Sequence, residues 1–189
     1  MTLILASTSA IRRQMLEAAG VPFEIVKPQA DEDQLKMGLT DPEQIAARLA
    51  SAKAISVPGA WVIGSDSVVS SGGRLFSKPR DKTEAAEHLR SFSGKPMRLT
   101  SAVALAHGGN LDWSHVETAT LQVRQLSDAF IADYLHAEWP EVGYTVGVFR
   151  LEARGVQLFD RIEGDHFTIL GMPLIPLLGA LRERRLLRQ

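Results

Sequence analysis

Apolar residues come in short runs separated by polar, glycine-marked or proline-marked breaks. The spacing switches along the chain between the alternation of strands and the i, i+3, i+4 pattern of helices. Leu3–Ala6 (LILA) is a continuous apolar run of strand length. Ser9 opens a predicted helix that runs to about Ala19 and stops at Gly20, with Ile11, Met15, Ala18 and Ala19 on one face. Phe23–Val26 reads as a second strand. TDPEQIAARLASAKAIS gives the clearest helix: Asp41 caps, Pro42 takes the first helical position, and Ile45, Leu49 and Ala52 line one side. AWVIGSDSVV is strand-like, Ser70–Gly73 marks a hairpin, and Asp81–Phe92 is a helix closed by Gly94. MRLTSAVALAH and LDWSHVETATLQV flank Gly-Gly-Asn as a long hairpin, and Ser127–Ala137 is helical. Val146–Leu151 and Val156–Ile162 read as strands around Gly155, and Met172–Leu187 as a last helix before a basic tail. Strands alternate with helices and then hairpins intervene, which predicts an α/β fold with a mixed sheet.

Composition narrows the classes. A chain of 189 residues, 45% hydrophobic and 23% charged, can bury a real core, and one domain over residues 1–189 is expected. Twenty-one basic against 22 acidic residues give a net charge of −1. That balance argues against a partner held by its nucleic-acid backbone. There is no cysteine, so disulfides, thiolate nucleophiles and sulfur-ligated metals are excluded. The start has no signal-peptide pattern, and no apolar run approaches the ~20 residues of a membrane span.

Three stretches break the pattern. In ASTSAIRR, two serines and two arginines sit where a strand turns into a helix. Arginines in a first helical turn oppose the helix dipole. A bound phosphate reverses that sign, since serine hydroxyls and free backbone N–H groups at such a turn form an anion site. The alternative is that Arg12 and Arg13 reach into solvent. In VIGSDSVV, Asp66 interrupts a run that otherwise reads as buried. A buried carboxylate is costly unless paired, hydrogen-bonded or metal-bound, and the alternative is a wet strand end. Gly64 admits a close neighbour, and Ser65 and Ser67 face away from Asp66 in a regular strand. In QADEDQ, Asp31 and Glu32 are candidate ligands for a hard cation or simply solvated acids. Lys78, held extended before Pro79, points either toward Asp66 or into water. Lys53, near a helix end, has an equally plain solvated reading. The histidines do not cluster at zinc-ligand spacing, His107 and His166 read as structural, and neither a Walker loop nor a nucleophile elbow is present.

Taken in order, six segments resemble the Maf-like nucleotide pyrophosphatases: LASTSAIRRQML, VIGSDSVV, SKPRD, SFSGKPMRLTSAVAL, VGVFRLEARG and IEGDHFTILGMPL. The resemblance covers nearly the whole chain. It implies a mixed twisted sheet in two lobes with helices on its faces and a central nucleotide-binding cleft. It implies hydrolysis of a nucleoside triphosphate between the α and β phosphates, a divalent cation (Mg²⁺ or Mn²⁺), a cytoplasmic location and a homodimer. By motif position Asp66 takes the place of the proton acceptor. Ser7, Ser9, Arg12, Lys53 and Lys78 fall on phosphate-binding positions, and Glu32 on an acidic position near the metal. Arg13 lies one place beyond the family's second arginine and joins the substrate-binding candidates.

The departures bear on the substrate. Ala10 and Ile11 stand where the family has proline and its first arginine, Ser65 and Ser67 flank Asp66 in place of alanine and threonine, Phe149 replaces tyrosine, and Glu152 replaces a common glutamine. These features resemble the branch linked to 7-methyl-GTP more than the dTTP/UTP branch. Glu152 is accordingly expected to help select the base, the alternative being a solvated side chain or a pair with Arg150 or Arg154. A non-catalytic nucleotide-binding regulator on the same fold is the second functional class, since a fold does not fix its chemistry.

Overall fold

Residues 2–59 and 61–188 are described by a computed structural model, and most of the expected elements are present. They are β1 (Leu3–Ala6), α1 (Ala10–Ala18), β2 (Glu24–Val26), α2 (Glu32–Lys36), α3 (Pro42–Ile55), β3 (Trp61–Ser71), β4 (Arg74–Phe76), α4 (Lys82–Phe92), β5 (Pro96–His107), β6 (Asn110–Val123), α5 (Asp128–Glu138), β7 (Phe159–Glu163), α6 (His166–Ile169) and α7 (Leu174–Glu183). The strands form one seven-stranded sheet in the order β2-β1-β3-β5-β6-β7, with β4 paired to β3. β1 runs parallel to β2 and β3, whereas β3–β4 and β6–β7 are antiparallel, so the sheet is mixed. No helix among the described residues is long and apolar enough to cross a membrane.

The chain forms two compact units. The first comprises Met1–Ser67, Thr100–Thr118 and Asp165–Gln189. Its core joins Leu3 and Leu5 of β1, Met15 and Leu16 of α1, Trp61 and Ile63 of β3, Val103 and Leu105 of β5, and Leu177 and Leu181 of α7. Complete burial of a side chain such as Leu5 or Leu16 stabilises the fold by roughly 1.5–3 kcal/mol. The second unit comprises Val68–Leu99 and Ala119–Gly164. Phe76, Leu89, Phe92, Met97, Leu121 and Leu135 are buried there, and Phe76 meets Phe92 edge-on at 4.5 Å.

Four local expectations need correction. QADEDQ is not a bare acidic loop: Asp31 accepts a hydrogen bond from Gln34 N and caps the short helix α2. Val146–Leu151 is not a strand, because Gly147 (φ 83°) and Val148 (φ 58°) take left-handed conformations that break an extended run. The strand placed at Val156 begins only at Phe159. At Gly155 the chain folds back so tightly that a Cβ would lie 2.4 Å from Arg150 O, and residues Arg154–Leu158 form a 3₁₀ turn. The last helix is shorter than expected. Gly171 (φ 105°) and Pro173 separate it from α6. Arg185 (φ 56°) ends it through bonds from Arg185 N to Arg182 O and Leu186 N to Leu181 O.

Candidate active site

The site begins with the packing of α3 on β3. A Cβ at Gly64 would lie 2.1 Å from Ala50 O and 2.5 Å from Ala54 N, so only glycine lets the helix lie this close to the strand. Ile45, Leu49 and Lys53 follow one another at four-residue steps and form one buried stripe of α3. The stripe expected to continue at Ala52 instead ends on Lys53, which is 7% exposed. The lysine Nζ donates to Asp66 Oδ1 at 2.6 Å, the residue two beyond Gly64 on the same strand. Asp66 is 8% exposed, and its Oδ1 is the atom that Lys53 engages. A carboxylate has about four acceptor sites on its two oxygens, so the single bond from Lys53 leaves Asp66 acceptor capacity.

Glu32, in the first turn of α2, approaches the same ammonium, with Oε1 at 2.8 Å from Lys53 Nζ and Oε2 at 3.5 Å from Lys36 Nζ. Burial pushes the Glu32 carboxyl up, but the hydrogen bond and charge of Lys53, with Lys36 behind them, outweigh it and hold the group below the usual carboxylate range. Glu32, Lys53 and Asp66 thus form one ion cluster in the first unit.

β1 leads into the same region. Ala6 pairs with Gly64, so the turn after β1 opens beside Asp66. Ser7 is buried, and its Oγ accepts from Ser9 N at 3.1 Å. Ser9 occupies the N-cap of α1 without a capping bond from its own hydroxyl, and the first turn of α1 carries no acidic residue. Backbone N–H groups there keep donor capacity for an anion.

Arg12 does more for the fold than the sequence suggested. Its Nε donates to Gly171 O at 2.9 Å, one Nη to Ser65 O at 2.9 Å and the other to Ser67 Oγ at 3.0 Å. The guanidinium thereby ties α1 to both residues flanking Asp66. Burial pushes its pKa down, opposed by the charges of Asp66 and Glu32. Gly171 and Ser101 were not singled out in the sequence. The Gly171 carbonyl accepts from Arg12 and from both Ser65 Oγ and Ser67 Oγ, and Ser101 hydrogen-bonds to Ser67. The only sequence signal for them is the Gly-Met-Pro after a short apolar run and a serine inside an apolar strand.

Three further candidates are Arg13 of the first unit and Lys78 and Glu152 of the second. Arg13 is exposed on α1, 3.7 Å from Glu17. Lys78 is exposed after β4 and Glu152 is exposed after the left-handed turn at Val148, both in the second unit.

A hard divalent cation fits the donor set. Among the described residues no group of three or more His, Asp or Glu side chains converges to cage a metal. Glu32 and Asp66 share one ammonium, and Mg²⁺ characteristically takes one or two carboxylates with substrate oxygens and water completing its shell.

A family model described as Maf-like protein matches residues 2–184. A 7-methyl-GTP pyrophosphatase of Rhizobium meliloti (strain 1021) is 48% identical over 189 residues, spanning 96% of this chain and 95% of that protein. A nucleoside triphosphate pyrophosphatase of Sphingopyxis alaskensis is 47% identical over 191 residues, spanning 96% of each. Among solved structures, a dITP/XTP pyrophosphatase of Mycobacterium abscessus overlaps 67% of this chain and 76% of its own at TM-score 0.42 and 18% identity, too slight an overlap to speak to fold or function.

Proposed function

This chain belongs to the Maf-like family, and from that premise we propose that it hydrolyses nucleoside triphosphates between the α and β phosphates, releasing a nucleoside monophosphate and pyrophosphate. The observation that carries the reading is the Asp66–Lys53–Glu32 cluster beside the β1–α1 turn. Asp66 is the proton acceptor. Its Oδ1 is fixed by Lys53, and its other oxygen takes a proton from the attacking water. The water oxygen bonds to the α phosphorus as the bond from that phosphorus to the α–β bridging oxygen breaks, and pyrophosphate leaves with the electron pair. Lys53 holds Asp66 in place and adds fixed positive charge. Ser7, Ser9 and the N–H groups of α1 bind phosphate oxygens. Arg12, with three N–H groups committed to the protein, contributes charge and its remaining donors. Arg13 and Lys78 complete the cationic set. Glu32 and Asp66 would hold Mg²⁺ or Mn²⁺, which when bound neutralises phosphate charge and polarises the phosphoryl group.

Glu152 is the base-selecting residue in this reading. A carboxylate only accepts hydrogen bonds. Guanine presents two neighbouring donors, N1–H and the exocyclic amine, whereas uracil presents N3–H between two carbonyl oxygens. N7-methylation adds positive charge to the guanine ring, so a 7-methyl-GTP-type substrate is favoured. The test is product analysis with 7-methyl-GTP, GTP, UTP and dTTP. Pyrophosphate is the expected product, with the methylated guanine nucleotide hydrolysed best and activity lost in excess chelator. Direct release of orthophosphate, or full activity in chelator, would overturn the assignment.

A further inference from the structure

α5 presents two buried polar side chains one helical turn apart, Tyr134 and Glu138. Residues four apart on a helix lie on one face. The Tyr134 hydroxyl donates to Val148 O at 3.1 Å, and Arg150 Nη2 donates to Glu138 Oε2 at 2.9 Å. The helix therefore grips residues 148 and 150, and Glu152 follows directly. The gripped segment is unfavourable on its own: Val148 is β-branched and held at φ 58°, a conformation that persists only where its surroundings impose it. Glu138 is only 6% exposed, and a carboxylate so buried is retained only with a close cationic partner.

Arg150 has a choice of acids. Its guanidinium is held above the usual range first by the Glu138 hydrogen bond, against the pull of burial, and then by the charges of Glu138, Glu152 and Glu141. Glu152 is thus within electrostatic reach of Arg150. Yet among the described residues Glu152 makes neither a hydrogen bond nor an ion pair, while Glu138 is the only acceptor Arg150's side chain has and its Nε is buried without one. A carboxylate paired with a guanidinium gives up acceptor sites to it and has its charge compensated.

We infer that Glu138 is a specificity-determining residue: it sequesters Arg150, so that the Glu152 carboxylate, on a segment pinned by Tyr134, stays unneutralised and available to a base that donates two hydrogen bonds. The inference rests on Glu152 reading the base. Glu138 acts through Arg150 and Glu152 and is a positioning residue, not a catalytic one.

The experiment is the ratio of kcat/KM for 7-methyl-GTP over UTP in five forms of the full chain, followed by pyrophosphate release. Glu138→Gln frees Arg150 to pair with Glu152 and should lower the ratio about tenfold, the scale of one lost charged hydrogen-bond partner. Adding Arg150→Met to that variant removes the competing cation and should return the ratio to near wild type, an outcome a merely structural role for Glu138 does not produce. Glu138→Asp keeps the charge and shortens its reach; it should lower the ratio too, and it carries the test if the glutamine variant fails to fold. An unchanged ratio in the position-138 variants, or a double variant as unselective as Glu138→Gln, overturns sequestration. Glu152→Gln separates the two levels. If it leaves the ratio unchanged, base reading itself fails; if it shifts the ratio while the position-138 variants do not, only sequestration fails.

Discussion

In the first unit the charges of the candidate site are matched: Lys53 stands 2.6 Å from Asp66 and 2.8 Å from Glu32, and Lys36 backs Glu32. In the second unit the matched pair, Arg150 with Glu138, is followed by an acid, Glu152, that makes no hydrogen bond or ion pair among the described residues. On the proposed reading, the difference follows what each region is asked to do. A group that must hold one geometry through a reaction is best fixed by partners the protein supplies, because prearranged charge costs no reorganisation when the reaction occurs. A group that must tell one base from another has to keep its hydrogen-bonding capacity for the ligand, since discrimination comes from partners left unsatisfied by the wrong ligand.

The sharpest way to break the first half of the comparison is through the packing that makes it. Gly64→Ala places a methyl group against the backbone of α3, at Ala50 O and Ala54 N. Neither atom can move without the helix. The variant should lose about 3 kcal/mol in chemical denaturation, at the upper end for overpacking, and should lose turnover as Lys53 is displaced from Asp66. Retention of both stability and turnover would show that the matching does not depend on this close approach. The second half is tested by Glu152→Gln, which should move the 7-methyl-GTP to UTP ratio of kcat/KM roughly tenfold toward UTP. Because Glu152 is exposed, denaturation midpoints should change little.

The smallest effect expected concerns how far matching extends in the first unit. Glu117 accepts a hydrogen bond from Thr168 Oγ1 and lies 3.0 Å from His115 Nε2. Burial pushes its carboxyl up, but the bonds to Thr168 and His115 prevail and hold it below the usual range. A depressed carboxyl contributes stability above its unfolded pKa and loses that contribution as the pH falls through the folded value. Wild type should therefore exceed Glu117→Gln by roughly 1 kcal/mol near neutrality, a figure discounted for solvent screening, with the gap closing below about pH 4. Thermal unfolding of both proteins across that range measures it; a gap constant with pH would remove the ionised form from the account.

Much of this was legible in the sequence where local rules and burial agree. The α3 helix announces itself by Asp41, Pro42 and its apolar stripe, and Asp66 by the cost of a carboxylate inside an apolar strand. The partner of Asp66 was readable in outline: Lys53 falls eight residues after Ile45 and four after Leu49, on the buried stripe, although its charge suggested solvent. The capping pair Asp31 and Gln34, three apart, could have revealed α2, which an acidic composition hid. Other features have no local signature. The apolar character of Val146–Leu151 suits a strand or a buried irregular segment equally, and only the grip of α5 decides. Arg12 bonds to Ser65, Ser67 and Gly171, residues 53, 55 and 159 positions away, which no spacing rule reaches.

The most direct test of the central claim, that Asp66 is the proton acceptor held by Lys53, is pyrophosphate release by Asp66→Asn measured beside nucleotide binding. Asparagine keeps an Oδ1 acceptor for Lys53 and removes the basic oxygen. Turnover should fall about a hundredfold or more, the usual scale for a lost general base, while nucleotide affinity, which the proposed site draws from the β1–α1 turn and the cationic residues, changes little. A variant that releases pyrophosphate at near the wild-type rate would contradict the assignment of Asp66.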